Sequence, residues 1–238
     1  IIVTAGADQG RQLGAFYGAY IAGFVIGPPI AGALTVAFDV RVPFLMLGVV
    51  TGLTYFSVRR LEIPAADVDV RASKGVLRRL VRSREMIAAL LVVVSFRYSV
   101  GVFEPLWAPH MDNLGASTMV VTLSLSAFAL PMLVLARWAG GLSDRYSPRL
   151  TSLLSALATV PLMASYGWIT AVPVLFIAML PHGIMEVIQS PGSQAAVADA
   201  APVDDAASAQ GLGEAMGSAA SMVGALSAAP IYAWLGPG

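Results

Sequence analysis

Charged and turn-forming residues punctuate the chain at long intervals, and the stretches between them are almost continuously apolar. Seven such stretches run over 13–38, 42–58, 86–107, 118–140, 150–168, 172–196 and 207–235. A helix needs about 20 mainly apolar residues to cross the roughly 30 Å hydrocarbon layer. The pattern therefore predicts an all-α membrane protein with about seven transmembrane helices. The joints carry turn chemistry: Asp39-Val-Arg41, Asp112-Asn-Leu-Gly115, Ser143-Asp-Arg-Tyr-Ser-Pro148 and Asp199-Ala-Ala-Pro-Val-Asp-Asp205. Residues 4–11 read as polar loop rather than a basic region before an apolar core, so no amino-terminal signal peptide is expected there.

Composition narrows the class. Hydrophobic residues make up 57% of the 238 and charged residues 12%, about half the charge of a soluble domain. That excludes a water-soluble globule, and it excludes disorder, which needs few large apolar residues and much charge. Fourteen basic residues balance fourteen acidic ones, so a nucleic-acid partner has no electrostatic support. The absence of cysteine removes disulfides, thiol nucleophiles and cysteine metal sites. Lys74 is the sole lysine beside thirteen arginines, in a chain rich in Ala, Gly, Val and Pro, which fits a GC-rich bacterial gene.

Charge then orients the spans. Arg59, Arg60, Arg71, Lys74, Arg78, Arg79, Arg82 and Arg84 crowd one joint, and short loops rich in Lys and Arg stay cytoplasmic. Counting crossings from that joint puts Arg11, Arg145, Arg149 and Asp204 on the same side, and leaves Arg41 alone among basic loop residues on the other. The expected location is the bacterial cytoplasmic membrane, with the chain starting inside and ending outside. Within the basic joint, Val76, Leu77, Leu80 and Val81 fall at helical spacing opposite Arg78, Arg79 and Arg82. That suits a short helix on an anionic inner leaflet, or a solvated linker that follows the same charge bias.

The first stretch carries a glycine pattern: Gly14-x8-Gly23-x3-Gly27-Pro28-x2-Ala31-Gly32. At 100° per residue, Gly14, Gly18 and Gly32 share one face, and Ala19, Gly23 and Gly27 share nearly the opposite one. Small residues let helix backbones pack closely in lipid, and Pro28 removes a backbone bond and should bend the helix. This run resembles the antiporter motif in the fifth helix of the major facilitator superfamily, G-x8-G-x3-G-P-x2-G-G, departing only at Ala31. Independently, Gly140-Gly-Leu-Ser-Asp-Arg-Tyr-Ser-Pro-Arg149 is similar to the superfamily's cytoplasmic loop motif G-x-L-A-D-R-x-G-R-K, with Ser147 where glycine is usual and Pro148 where a basic residue is usual. Leu13-Gly14-x3-Gly18 recurs as Leu212-Gly213-x3-Gly217, as expected where two related halves repeat.

The resemblance implies a partial major facilitator fold. It maps the seven spans onto helices five to eleven of the twelve-helix, drug:proton antiporter-like subgroup, without helices one to four and twelve. Residues 1–58 would close the N-terminal bundle, 59–85 form the cytoplasmic linker, and 86–238 form helices seven to eleven of the C-terminal bundle. It further implies a secondary transporter that exports a drug or metabolite by alternating access, coupled to protons, monomeric when full-length, with membrane lipids as its surroundings and no cofactor. Gly14, Gly23, Gly27, Pro28 and Gly32 would be the motif's packing residues. Asp144, with Arg145, Arg149 and Arg11, would form the gating loop, Asp144 meeting the start of the first helix near 10–13 when the cytoplasmic side is closed. The other reading of Asp144 is a turn with Ser143 that caps the next helix.

Ionisable groups inside a membrane are costly and are functional candidates by default. Arg97 lies about 16 Å along its span at 1.5 Å per residue, near the midplane, with Glu104 two turns further out on nearly the same face. Glu186 sits between the breakers Pro181-His-Gly183 and Pro191-Gly192, with Gln189 one turn on. One reading is a polar cavity lined by Arg97, Glu186 and Gln189, with Glu104 at its mouth. The other pairs Arg97 with a carboxylate as a helix strut, and Glu214 is read as structural. Arg137 can snorkel to the interface. His110 and His182 are single histidines, too few for a metal site. Trp107, Trp168 and Trp234 fit an interfacial belt. A retinal receptor would need a lysine within a helix, and Lys74 is in a joint. An intramembrane enzyme would need a nucleophile with its base or clustered metal carboxylates, which the spacing does not supply.

Overall fold

The fold comes from a computed structural model, which describes residues 9–59 and 75–235; side chains are described from residue 19 onward, Arg137, Gly140, Ser143 and Asp144 excepted. Every predicted span is a helix. In chain order these are α1 (Gln9–Ala37), α2 (Arg41–Val58), the short α3 (Val76–Leu80), α4 (Arg84–Asn113), α5 (Thr118–Tyr146), α6 (Pro148–Tyr166), α7 (Val172–Asp199) and α8 (Ala206–Leu235), with a 3-10 turn at Val203–Asp205 before α8. There is no strand among the described residues.

Five segments are long and apolar enough to cross a membrane: Ala19–Ala37, Arg41–Val58, Arg84–Asn113, Thr118–Ala136 and Val172–Asp199. The seven expected spans are thus five by this measure. α6 and α8 are not among them. Both nevertheless pack within the bundle, α8 chiefly on α4 and α6 on α7, while α5 packs on α7 and α1.

Many long aliphatic residues point outward, and several small hydroxyl residues point inward beside a bulky core. Leu91, Val134, Leu157, Ile177 and Leu226 are exposed, whereas Ser124, Ser152, Ser155, Thr159 and Ser193 are buried. Several of these hydroxyls return their hydrogen bonds to their own helix, Ser155 Oγ to the Ser152 carbonyl and Thr159 Oγ1 to the Ser155 carbonyl. This is the arrangement that lipid favours, since chain packing rather than water exclusion joins helices there. Glycines set the crossings. A Cβ on Gly101 would overlap the Ser221 backbone of α8, and one on Gly224 would lie 2.6 Å from the Tyr98 carbonyl of α4. Gly183 of α7 meets the Phe128 carbonyl of α5, and Gly32 of α1 meets Thr122 of α5. A Cβ on Gly23 or Gly27 of α1 would meet nothing within 4 Å among the described residues, so the first of the two predicted small-residue faces is engaged at Gly32 and the second is open at Gly23 and Gly27. Gly14 and Gly18 lie outside the described side chains. Pro28 and Pro29 are accommodated inside one continuous helix.

Two helices run beyond the ends expected of their spans. α4 runs on past Pro105 and Pro109 to Asn113 and stops in a paired cap. The Gly115 N–H donates to the Asp112 carbonyl at 2.8 Å and the Ala116 N–H to the Met111 carbonyl at 3.0 Å, with Gly115 at φ 80°, the left-handed turn that glycine adopts without penalty. Its start is capped by Ser83, whose Oγ accepts from the Met86 N–H at 3.4 Å. Trp107 is correspondingly not interfacial. It is buried, its Nε1 donating to Ser124 Oγ at 2.8 Å, because the helix extends two turns beyond it. Trp168 and Trp234 are exposed.

The joint expected at 143–148 is mostly helix. α5 carries its backbone through Tyr146, and Ser147 alone separates it from α6. Ser147 stands at φ 139°, ψ 133° and caps α6, its Oγ accepting from the Leu150 N–H at 3.4 Å. So Asp144 is not the cap of that helix. A side chain at such a φ is strained by about 1–3 kcal/mol, while exchanging a Ser cap for Gly costs only a few tenths. Ser147→Gly should therefore stabilise the protein by about 1 kcal/mol, read as a higher midpoint in thermal unfolding in detergent; an unchanged or lower midpoint would remove the strain argument.

The short α3 also departs from expectation. Val76 and Leu80 are buried among Met86, Ala89 and Leu90 of α4 and Val197 and Ala209 from α7 and α8, while Leu77 and Val81 are exposed. The apolar face predicted to lie whole on the leaflet is split, half of it closing the end of the bundle.

Candidate functional site

α4 contributes Arg97 and Glu104, seven residues and about two turns apart, and α8 crosses it closely. Arg97 Nη2 donates to Glu214 Oε2 at 2.9 Å, the side chains being 36% and 53% exposed. The arginine stem fits because residue 217 is glycine: a Cβ there would lie 2.9 Å from Arg97 Cγ and 3.2 Å from Val93 Cγ1. α7 contributes Glu186, half-buried, within electrostatic reach of both Glu104 and Arg97, and buried Gln189 one turn further along. Glu104 is exposed at the margin of the group. The structure thus brings together Arg97, Glu104 and Glu186 and adds Glu214, which sequence reasoning had set apart. The strut and cavity readings of Arg97 coexist: its hydrogen bond goes to Glu214, leaving Glu186 as a second carboxylate nearby.

One turn before Glu186 on α7, His182 is buried, and Tyr166 Oη lies 2.9 Å from its Nδ1. Phe103 and Phe128 pack edge-on around that ring, with centroids at 5.1 Å in both cases. His110 ties three helices at the other end of the same aromatic layer. Its Nε2 is 3.1 Å from the Tyr166 carbonyl and its Nδ1 3.1 Å from Tyr232 Oη. A carbonyl can only accept, so the network assigns the proton to Nε2, and Nδ1 accepts from the tyrosine. Both histidines therefore have packing partners, and among the described residues no three metal-ligating side chains converge.

The basic end of the bundle is held by ion pairs. Arg149 Nη2 lies 3.9 Å from Glu85 Oε2, and Arg79 Nη2 donates to Asp205 Oδ2 at 2.6 Å. The Arg145 guanidinium lies 5.4 Å from the Tyr146 ring centroid. These contacts bring the 76–85, 145–149 and 199–205 joints to one end, as the crossing count required. Arg11 and Asp144, the predicted gating pair, have side chains outside the described residues.

The Major Facilitator Superfamily profile matches residues 89–237, more than half of the chain. The chain belongs to the Major Facilitator Superfamily. The "Multi-drug resistance efflux pump PmrA homolog" of Lactococcus lactis subsp. lactis (strain IL1403) is 24% identical over 159 residues, which is 63% of this chain and 39% of that protein. The chain therefore matches well under half the length of this curated relative. No solved structure matches it significantly.

Proposed function

We propose that this chain is part of a proton-coupled exporter of drugs or small metabolites that works by alternating access in the bacterial cytoplasmic membrane, monomeric when complete. In this reading it supplies helices five to eleven of a twelve-helix protein, with 1–58 belonging to the N-terminal bundle, 59–85 to the linker and 86–238 to the C-terminal bundle. The observation that carries it is the group Arg97, Glu104 and Glu186, gathered inside the segment that matches the superfamily. Charge at mid-membrane costs at least about 2.5 kcal/mol when unpaired; Arg97 is paired with Glu214, and Glu186 beside it, with Glu104 further out, supplies carboxylates that could act on a polar substrate or proton. Gln189 adds a neutral donor and acceptor. The efflux pump name of the Lactococcus relative favours outward transport. The test uses the full-length protein in an efflux-deficient bacterium loaded with a fluorescent cationic dye. Expression should lower dye retention several-fold, and a protonophore should restore it; equal retention with and without the protein would refute the exporter reading.

Asp144 is assigned the gate, with Arg145 and Arg149 beside it and Arg11 opposite. On the proposed orientation α1 and α5 run antiparallel, and Gly32 meets Thr122. Counting back to Gln9 and forward to residue 144 covers nearly equal rises of about 34 Å, which levels the backbone of residue 144 with the first described turn of α1, where a helix start would offer N–H groups to a carboxylate. A contact of that kind would favour the outward-facing state by about 1–3 kcal/mol. Spin-label distances between the two halves of the full-length protein should shift toward inward-facing in Asp144→Asn, with normal expression; an unchanged distribution would end the gating role.

A further inference from the structure

The five residues of α3 and the turn after it divide into stripes of different fate. Val76 and Leu80 are 6% and 2% exposed and belong to the core at the basic end. Arg79 is committed to Asp205, itself buried at the joint between α7 and α8. The remaining stripes are Leu77 with Val81, 57% and 45% exposed, and Arg78 with Arg82, both exposed. Each pair is four residues apart and the two pairs are adjacent on the surface. Two open aliphatic side chains flanked by two cations have a natural occupant at this depth, because α3 closes the end from which α4, α7 and α8 enter the bilayer. Arg84 opens α4, where a cation opposes the helix dipole, and a nearby anion would offset that repulsion.

We infer that α3 is a docking helix for anionic phospholipid headgroups of the inner leaflet, with Arg78 and Arg82 as headgroup ligands and Leu77 and Val81 as shallow apolar anchors. The Arg79–Asp205 pair and the buried Val76 and Leu80 are positioning contacts that fasten the docked helix to α8. Lipid composition is thereby linked mechanically to the end of the bundle. The inference rests on the inside assignment of this end and is independent of what is transported.

The experiment places an environment-sensitive fluorophore at Leu77→Cys in a cysteine-free full-length protein, reconstituted into vesicles of phosphatidylcholine with increasing phosphatidylglycerol. The emission should shift to the blue as phosphatidylglycerol rises. A juxtamembrane arginine strengthens anionic-surface binding about fivefold, so Arg78→Gln with Arg82→Gln should raise the phosphatidylglycerol fraction at half-response at least fivefold, while Arg59→Gln leaves it in place. The vesicles hold no other protein, so the response identifies lipid rather than an acidic protein segment as the occupant. The same emission in phosphatidylcholine alone, or an equal effect from Arg59→Gln, would overturn the inference. Labelling of Leu77→Cys in intact cells by an impermeant thiol reagent would instead show that the orientation is wrong.

Discussion

Gly101→Leu is expected to abolish correctly folded protein, or to leave a species whose unfolding midpoint falls far below that of the parent. The Cβ alone would overlap the Ser221 backbone, and backbone cannot turn aside as the end of a flexible side chain can. Relief requires α4 and α8 to separate, and that pair forms the most extensive helix contact in the bundle. Overpacking a well-filled core costs about 1–3 kcal/mol and occasionally more; a clash against backbone belongs at the top of that range. Gly211→Ala provides the comparison, because a Cβ there meets nothing within 4 Å and the change should be neutral or stabilising by up to about 1 kcal/mol. Size-exclusion profiles and thermal unfolding of the two variants in detergent check both claims. A monodisperse Gly101→Leu protein with a parental midpoint would show that the α4–α8 crossing is not as close as described.

Much of this architecture is written in the spacing of charge. Long apolar stretches between the charged or turn-forming joints at 39–41, 59–84, 112–115, 143–148 and 199–205 are enough to find the helices, since the bilayer dictates their length. Their ends are less legible. The apolar run ends the third span at 107, whereas α4 passes Pro105 and Pro109 and continues to Asn113, because neighbouring helices can re-satisfy freed backbone groups inside a bundle. At 140–146 polar residues read as loop, whereas a helix leaving the membrane needs no apolar face on its last turns. The usual glycine of the loop motif acquires a physical meaning only from the backbone: position 147 has the positive φ that glycine tolerates. Arg97, Glu104 and Glu186 could be selected from their cost in hydrocarbon, but the Arg97 partner could not, because it depends on how α8 crosses α4. A signal for it was present in Gly213, Gly217 and Ser221, spaced four apart on one face of α8, two of them the positions that press against Arg97 and Gly101.

In the full-length protein, Arg97→Ala is expected to lower transport at least tenfold while changing stability little. The pair with Glu214 is partly exposed at 36% and 53%, and pairs screened to that degree contribute about 0.2–1 kcal/mol. A strut of that strength cannot account for a tenfold loss, so the loss would belong to the proximity of Arg97 to Glu186 and Glu104. Glu186→Gln should be equally damaging, because it keeps shape and removes the negative charge nearest the bundle interior. Glu214→Gln should cost only about two- to threefold, since Arg97 keeps its place over Gly217 and its other carboxylates. A double-mutant cycle of Arg97→Ala with Glu214→Gln on unfolding free energy separates the two contributions: the coupling should stay under about 1 kcal/mol. Transport losses that followed unfolding midpoints across all three variants, with Glu214→Gln as severe as Arg97→Ala, would reduce Arg97 to a helix strut and remove the polar group from the transport pathway.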